Sequence, residues 1–238
     1  MSRISSLIAL AVASAVAMYG ATTLIADNNP THAKTHANKA LRTQRNFVIH
    51  SQRSAPQESK MVLDSYVENF KFVPNLCGVM ADSPALLRSY WQLQQNLRSM
   101  GSLTPAENNV VQMAIAVENR CQYCVAGHCM AAGAYFGSSA EEIEALRSRK
   151  QLPQKKLDAL RRFAIDVYES KGRVSDESLQ AFFAAGYSRQ QALDVVTNIA
   201  AKVMSNYTNQ IARTPLDEAI KPFAKGLPFQ EDRAILSE

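Results

Sequence analysis

From Met61 onward apolar residues return every three or four positions, and they do not alternate singly as they would in a strand. A chain patterned in this way folds as packed helices. Met61, Val62, Tyr66 and Phe70 sketch the first, closed by a Val73-Pro74-Asn75 turn. Ser83-Pro84 places a capping residue before a proline at the first helical position, opening a helix through Trp91 and Leu97 to Met100-Gly101. Thr104-Pro105-Ala106-Glu107 reads as a capping box and launches the apolar run 110–117 directly into a cluster of cysteines. That helix is expected to continue through Met130 and Tyr135 to Gly137. Ser139, Pro153, Ser175 and Ser188 signal further helix starts, the last a capping box opening a long helix to about Ala212, and Pro215 starts a terminal piece. The expected fold class is all-α, a helical bundle over residues 58–225 with a tail at 226–238.

The amino-terminal part is built differently. Residues 4–26 carry no charge, are rich in Ala, Leu, Ile and Val, and follow Arg3. At about 1.5 Å per residue such a run is long enough to cross a bilayer core, so residues 1–26 read as a signal peptide or membrane anchor. The predicted location is membrane-anchored or exported, in the cell envelope or periplasm. Residues 27–57 read as a basic linker: Lys34, Lys39, Arg42, Arg45 and Arg53 contribute much of the +5 net charge, and Asp27 is the only acid over most of the interval. Without interleaved aromatic side chains, that charge suits an anionic membrane surface rather than nucleic acid.

The chemistry concentrates in Glu118-Asn119-Arg120-Cys121-Gln122-Tyr123-Cys124-Val125-Ala126-Gly127-His128. On a continuous helix, spacings of three and four would bring Glu118, Cys121, Cys124 and His128 to one face. A free thiol is mostly protonated at neutral pH, so a reactive one needs a partner that lowers its pKa. His128, four residues after Cys124, has the offset to do so, whereas a helix amino terminus near Cys121 would favour that residue instead. Weighting the imidazole more makes Cys124 the attacking thiol and Cys121 its disulfide partner. A thiolate beside a second thiol can reduce a peroxide: one sulfur becomes a sulfenic acid, the other condenses with it, and an external donor resets the pair. Glu118 is a candidate to orient His128 or relay protons. Tyr123 reads as an aromatic packing under the turn, and Cys77 and Cys129 as small core residues.

Rival readings use the same residues. Zinc would need Cys121, Cys124, His128 and Cys129 to converge, yet adjacent positions diverge on a helix. Covalent haem attachment needs histidine directly after the second cysteine, where Val125 stands. The expected site therefore has no cofactor and no metal. A disulfide oxidoreductase or redox sensor acting on a protein partner would use the same dithiol, and an inert structural CxxC is the non-enzyme alternative. Nucleotide fingerprints, phosphate loops and serine elbows are absent.

These residues resemble the carboxymuconolactone decarboxylase-like superfamily and, within it, the alkylhydroperoxidase D-like, peroxidase-related branch. The resemblance rests on Phe72-Val73-Pro74-Asn75, Ser83-Pro84, the cysteine-histidine stretch, Asn206-Tyr207-Thr208-Asn209 and Thr214-Pro215-Leu216-Asp217, together spanning roughly residues 60–225. It implies an alkylhydroperoxidase D-like helical bundle that forms homo-oligomers and reduces hydroperoxides, with Cys124 attacking, Cys121 resolving and His128 in the proton relay. It also implies a dithiol or thioredoxin-like electron donor. One position departs from the pattern: the family's relay glutamate, twelve residues before the first motif cysteine, is Asn109 here. Glu118 or Glu107 would then have to replace it. A lyase activity like that of the founding decarboxylases belongs to members without this thiol pair.

Overall fold

The computed structural model describes residues 41–227 and 229. Among them the chain forms α1 (Gln57–Phe70), α2 (Asn75–Met80), α3 (Pro84–Ser99), α4 (Pro105–Glu118), α5 (Gln122–Tyr135), α6 (Ala140–Arg147), α7 (Lys155–Glu169), α8 (Asp176–Ala184) and α9 (Arg189–Ala212). A 3₁₀ helix, Glu218–Ala224, follows. The described fold is all-helical apart from one isolated antiparallel bridge between Arg42 and Val48.

Local chemistry sets most helix starts. Thr104 and Glu107, Ser139 and Glu142, and Ser188 and Gln191 form reciprocal capping boxes at α4, α6 and α9. Each satisfies amide groups that the first turn would otherwise leave unpaired. Ser83 and Ser175 cap α3 and α8 in the simpler way, each accepting from a backbone amide.

α4 is the axis of the molecule. Every residue from Glu107 to Val117 is buried, and the helix packs against α5, α6, α7 and α9. One core forms around it, where Phe163, Phe182 and Tyr187 stack with centroid separations of 4.1 and 4.6 Å. A second gathers Leu63, Tyr66, Phe70 and Leu87 from α1 and α3 against α2 and Ala201 of α9. Each such side chain, fully buried, contributes about 2 kcal/mol from apolar burial. Tyr123 packs against both cores. The start of α5 therefore lies on the seam between them.

Three expectations are corrected. The Val73-Pro74-Asn75 turn leads at once into the short helix α2, because Pro74 as capping residue presets the backbone for entry. The basic linker ends earlier than residue 57: the 42–48 bridge, the bond from the His50 amide to Gly78 O (3.0 Å) and the burial of Ile49 against Val79 and Ala212 hold this stretch to the bundle. Gly78 permits that approach, since a Cβ there would lie 2.8 Å from His50 O. Finally, α4 does not run into the cysteine motif. Arg120 takes a left-handed conformation (φ 51°), the Cys121 amide reaches back to Ala116 O (2.9 Å) and the Arg120 amide to Val117 O (3.0 Å). These bonds close a Schellman motif, and α5 starts afresh with Cys121 as its capping residue.

The expected anchor or signal segment at residues 4–26 lies outside the described residues. No helix among the described residues is long and apolar enough to cross a membrane.

Candidate active site

The break between α4 and α5 sets the geometry of the thiols. Cys121 stands at the capping position and Cys124 in the first turn, where the unpaired amides and the positive end of the dipole favour an anion. Both sulfurs are buried, and both cysteines are free thiols. Asn209, on the last turn of α9, aims its side-chain amide at the two of them, at 3.3 Å from Cys124 Sγ and 3.7 Å from Cys121 Sγ. Cys124 also faces the Ser205 hydroxyl at 3.9 Å.

The two thiols part electrostatically. Burial by itself raises the pKa of Cys124. A hydrogen bond from Cys121, the positive charge of Lys202, donation by Asn209 and the hydrogen bond with Ser205 outweigh it and bring the thiol down to about 6. Cys121 moves the opposite way, pushed well above the ordinary thiol value by burial and then by the proton it donates to Cys124. The surroundings thus favour the thiolate at Cys124 and the protonated thiol at Cys121. The outlying Cys77 and Cys129 are raised to about 12 and about 11, chiefly by burial, as suits inert core thiols.

His128 lies one turn beyond Cys124, and both its ring nitrogens are engaged. Nδ1 meets Asn109 Oδ1 at 2.7 Å, and Nε2 meets Lys202 Nζ at 2.8 Å. An ammonium has only protons to offer, so Nε2 accepts and Nδ1–H donates to the Asn109 carbonyl. The imidazole is accordingly neutral: burial and then the Lys202 charge hold its pKa well below the ordinary histidine value. The sequence expectation of a direct histidine–Cys124 pair is corrected here. The ring has no nitrogen left for the sulfur, and its influence on Cys124 passes through Lys202.

Glu118 is not in this group. It ends α4 on the far side of the chain break and pairs with Arg149 at 3.4 Å. Glu107 is likewise committed elsewhere, accepting from the Thr104 amide at 2.9 Å and facing Lys156 at 3.6 Å. Neither carboxylate replaces a relay acid. Asn109 occupies the relay position itself, as a hydrogen-bond acceptor that fixes the histidine tautomer.

Four site residues escaped the sequence reading: Lys202, Ser205, Asn209 and Asn109 in its positioning role. The first three follow at helical spacing on α9 and are buried on one side of it. A lysine, a serine and an asparagine buried together on one helix face need partners to be hidden there, and the sequence, which shows their spacing but not which side of α9 faces inward, carries no signal of that burial. Tyr123 does more than pack. Its hydroxyl donates to Asp217 and accepts from the Leu76 amide at 3.3 Å, tying the start of α5 to α2 and to the segment after α9.

Two cavities approach the pair from different sides. One, of about 80 Å³, is lined by Cys124, His128 and Lys202 together with Tyr66, Tyr90 and Leu76. The other, of about 310 Å³, is lined by Cys121 but not by Cys124. Tyr123 belongs to both walls.

With this geometry in place the chain can be set beside known proteins. Residues 84–153 match the Carboxymuconolactone decarboxylase family. Comparison of the sequence with curated proteins returns no match. Among solved structures, the alkylhydroperoxidase AhpD core of an uncharacterized peroxidase-related protein from Ralstonia eutropha JMP134 superposes with a TM-score of 0.64 at 19% identity, over 72% of this chain and 92% of that one. An uncharacterized peroxidase-related protein from Silicibacter sp. TM1040 gives 0.63 at 16% identity, over 76% and 95%. A cysteine-to-alanine variant of the debrominase Bmp8 in complex with 2,3,4-tribromopyrrole gives 0.62 at 17% identity, over 76% and 97%. Residues 84–153 thus carry the sequence pattern of the carboxymuconolactone decarboxylase family, on a chain with the alkylhydroperoxidase D-like fold.

Proposed function

We propose that the protein is a thiol-dependent hydroperoxide reductase in which Cys124 attacks and Cys121 resolves. The observation that carries this reading is the opposite polarisation of two adjacent buried sulfurs, one brought down to about 6 and the other pushed up. A small hydroperoxide enters the tyrosine-lined cavity beside Cys124. The thiolate attacks one peroxide oxygen, the O–O bond breaks, and the sulfur keeps that oxygen as a sulfenic acid. The departing alkoxide takes a proton from the Lys202 ammonium, which lines the same cavity and is held by His128. Cys121 then attacks the sulfenic sulfur. An S–S bond forms, hydroxide leaves with the Cys121 proton as water, and an external dithiol returns the two electrons.

The site also favours this reading over its rivals. A folded protein partner would have to reach sulfurs that are only 2% and 4% exposed, which disfavours a sensor or protein-disulfide exchanger. A decarboxylase-like lyase shares the sequence pattern but gives the polarised dithiol no task. The brominated pyrrole bound in the Bmp8 comparison suggests a second reading, reductive removal of halogen from a small aromatic ring by the same dithiol; the three tyrosines around the Cys124 cavity support it. Exposure of the reduced protein to an organic hydroperoxide or a bromopyrrole, with a dithiol donor, separates these activities. The account expects hydroperoxide turnover that falls at least a hundredfold in Cys124→Ser. Equal turnover in wild type and variant would sink it.

Membrane attachment or export belongs to the same proposal and rests on the uncharged run at residues 4–26. Recovery of the full-length chain, with Met1 retained, entirely in the soluble fraction would exclude both.

A further inference from the structure

The Cys124 cavity is closed on nearly every side. Of the described residues that line it, all are buried except Tyr123 and Gly127, which are half-buried. The cavity therefore meets the surface between these two. At about 80 Å³ it falls well short of the roughly 150 Å³ that encloses a benzene ring. It has room for a peroxide group beside the sulfur, but the organic part of a larger hydroperoxide has to reach outward through that opening.

The pitch of α5 builds this doorway. At about 100° per residue, Tyr123 and Gly127 lie one turn apart on the outer edge of a patch whose inner edge carries Cys124 and His128. Tyr123 is the fixed jamb, its hydroxyl tied to Asp217 and to the Leu76 amide. Gly127 is the open one. A Cβ built on it meets no described atom within 4 Å, and its φ is not in the left-handed range, so neither a close approach nor a turn calls for glycine. Inside a helix glycine is destabilising relative to alanine. What the position gains is space: helical side chains lean toward the amino terminus, so any side chain at 127 would lie over the turn that holds Cys124.

We propose that Gly127 is a specificity-determining residue: by carrying no side chain it lets the organic substituent of a hydroperoxide pass out beside Tyr123 while the peroxide oxygens sit at Cys124. The inference rests on the thiol-peroxidase reading above for the nature of the substrate, and on the cavity walls alone for the position of the door. Leu76, Met130 and Ile220 line the cavity with the tyrosines, so the group that leads into the passage is an apolar alkyl or aryl one. A side chain at 127 narrows the passage without touching the groups that polarise the thiols. Its effect therefore grows with the size of the reagent.

The test uses the reduced full chain and its Gly127→Ala and Gly127→Leu variants. Alkylation of Cys124 by iodoacetamide and by the bulkier monobromobimane is followed by peptide mass, and oxidation by hydrogen peroxide and by cumene hydroperoxide is followed by stopped flow. The ratio of bulky to small reagent in each pair cancels any change in the thiolate fraction. Gly127→Leu should lower both ratios at least about tenfold, and Gly127→Ala about two- to threefold. The alanine variant should unfold in urea no earlier than wild type, since alanine is the better helix former, and it carries the test if leucine disrupts the helix. Ratios at the wild-type value in every variant that folds would overturn the inference, however far the absolute rates fall. A bimane ratio that falls as expected in a protein that leaves both peroxides intact would remove the peroxidase reading and keep the doorway.

Discussion

Lys202 acts on the reactive sulfur through its charge, after the hydrogen bond from Cys121. It is nearly fully buried, it bonds His128 at 2.8 Å, and its charge is one of the causes that bring Cys124 down to about 6. At pH 7 a thiol of that pKa is about nine-tenths ionised, against a few per cent for an ordinary cysteine. Lys202→Met removes the charge while keeping the aliphatic stem, so the Cys124 pKa should rise by about one to two units. Alkylation of Cys124 at pH 7 should then slow about two- to tenfold, and raising the pH should recover it; an unchanged rate would show that Lys202 does not act on the sulfur. Asn109 and Lys202 also explain why the sequence reading of His128 went only part of the way. The CxxC pair and the histidine were legible from spacing. Their electrostatic roles were not, because the partners come from α4 and α9, the latter more than seventy residues away along the chain. Glu118 misled for a local reason: its position is right only if α4 continues, and Arg120 prevents that.

The helices themselves were largely written in their capping residues. Thr104, Ser139 and Ser188 announce α4, α6 and α9, and the structure forms a capping box at each. The break after α4 was hidden because the left-handed position of its Schellman motif is filled by arginine, where glycine would have advertised the end. Lys71, Arg149, Lys171 and Arg213 repeat this habit at other left-handed positions. A side chain there is strained by roughly 1 kcal/mol, and a cation close to the carbonyl end of a helix offsets part of that. The Thr104 box sits on the axial helix, so its loss should be felt globally. Thr104→Ala removes one acceptor for the Glu107 amide and should destabilise the protein by about 1 kcal/mol in urea unfolding. No measurable change would mean that water caps the helix equally well.

At the scale of the whole molecule, the bundle leaves one helix face uncovered. Leu193, Val196, Ala200, Tyr207 and Ile211 are exposed at helical spacing along α9, the helix whose opposite side supplies Lys202, Ser205 and Asn209 to the site. An apolar stripe of this length suits a second copy of the chain, in keeping with the oligomers that the resemblance implies. Leu193→Glu with Val196→Glu should shift the sedimentation of the protein to that of a 26.2 kDa monomer; an unshifted oligomer would place the interface elsewhere. Periodicity identified α9 as a helix but could not say which of its two apolar-looking sides faces inward. The polar site residues on the inner side blur the usual distinction between core and surface.

All of these scales meet at the ionisation of Cys124, which depends on the charge of Lys202, on the start of α5 and on the packing of α9 across the seam. Ultraviolet thiolate absorbance, followed against pH in wild type, Cys121→Ala and Cys124→Ser, measures it directly and without regard to substrate. The account predicts one thiolate appearing with a midpoint near 6, absent in Cys124→Ser. In Cys121→Ala it should persist at a higher midpoint, because the donated hydrogen bond is gone. A wild-type midpoint in the ordinary thiol range, or an early-ionising sulfur that survives in Cys124→Ser, would contradict it.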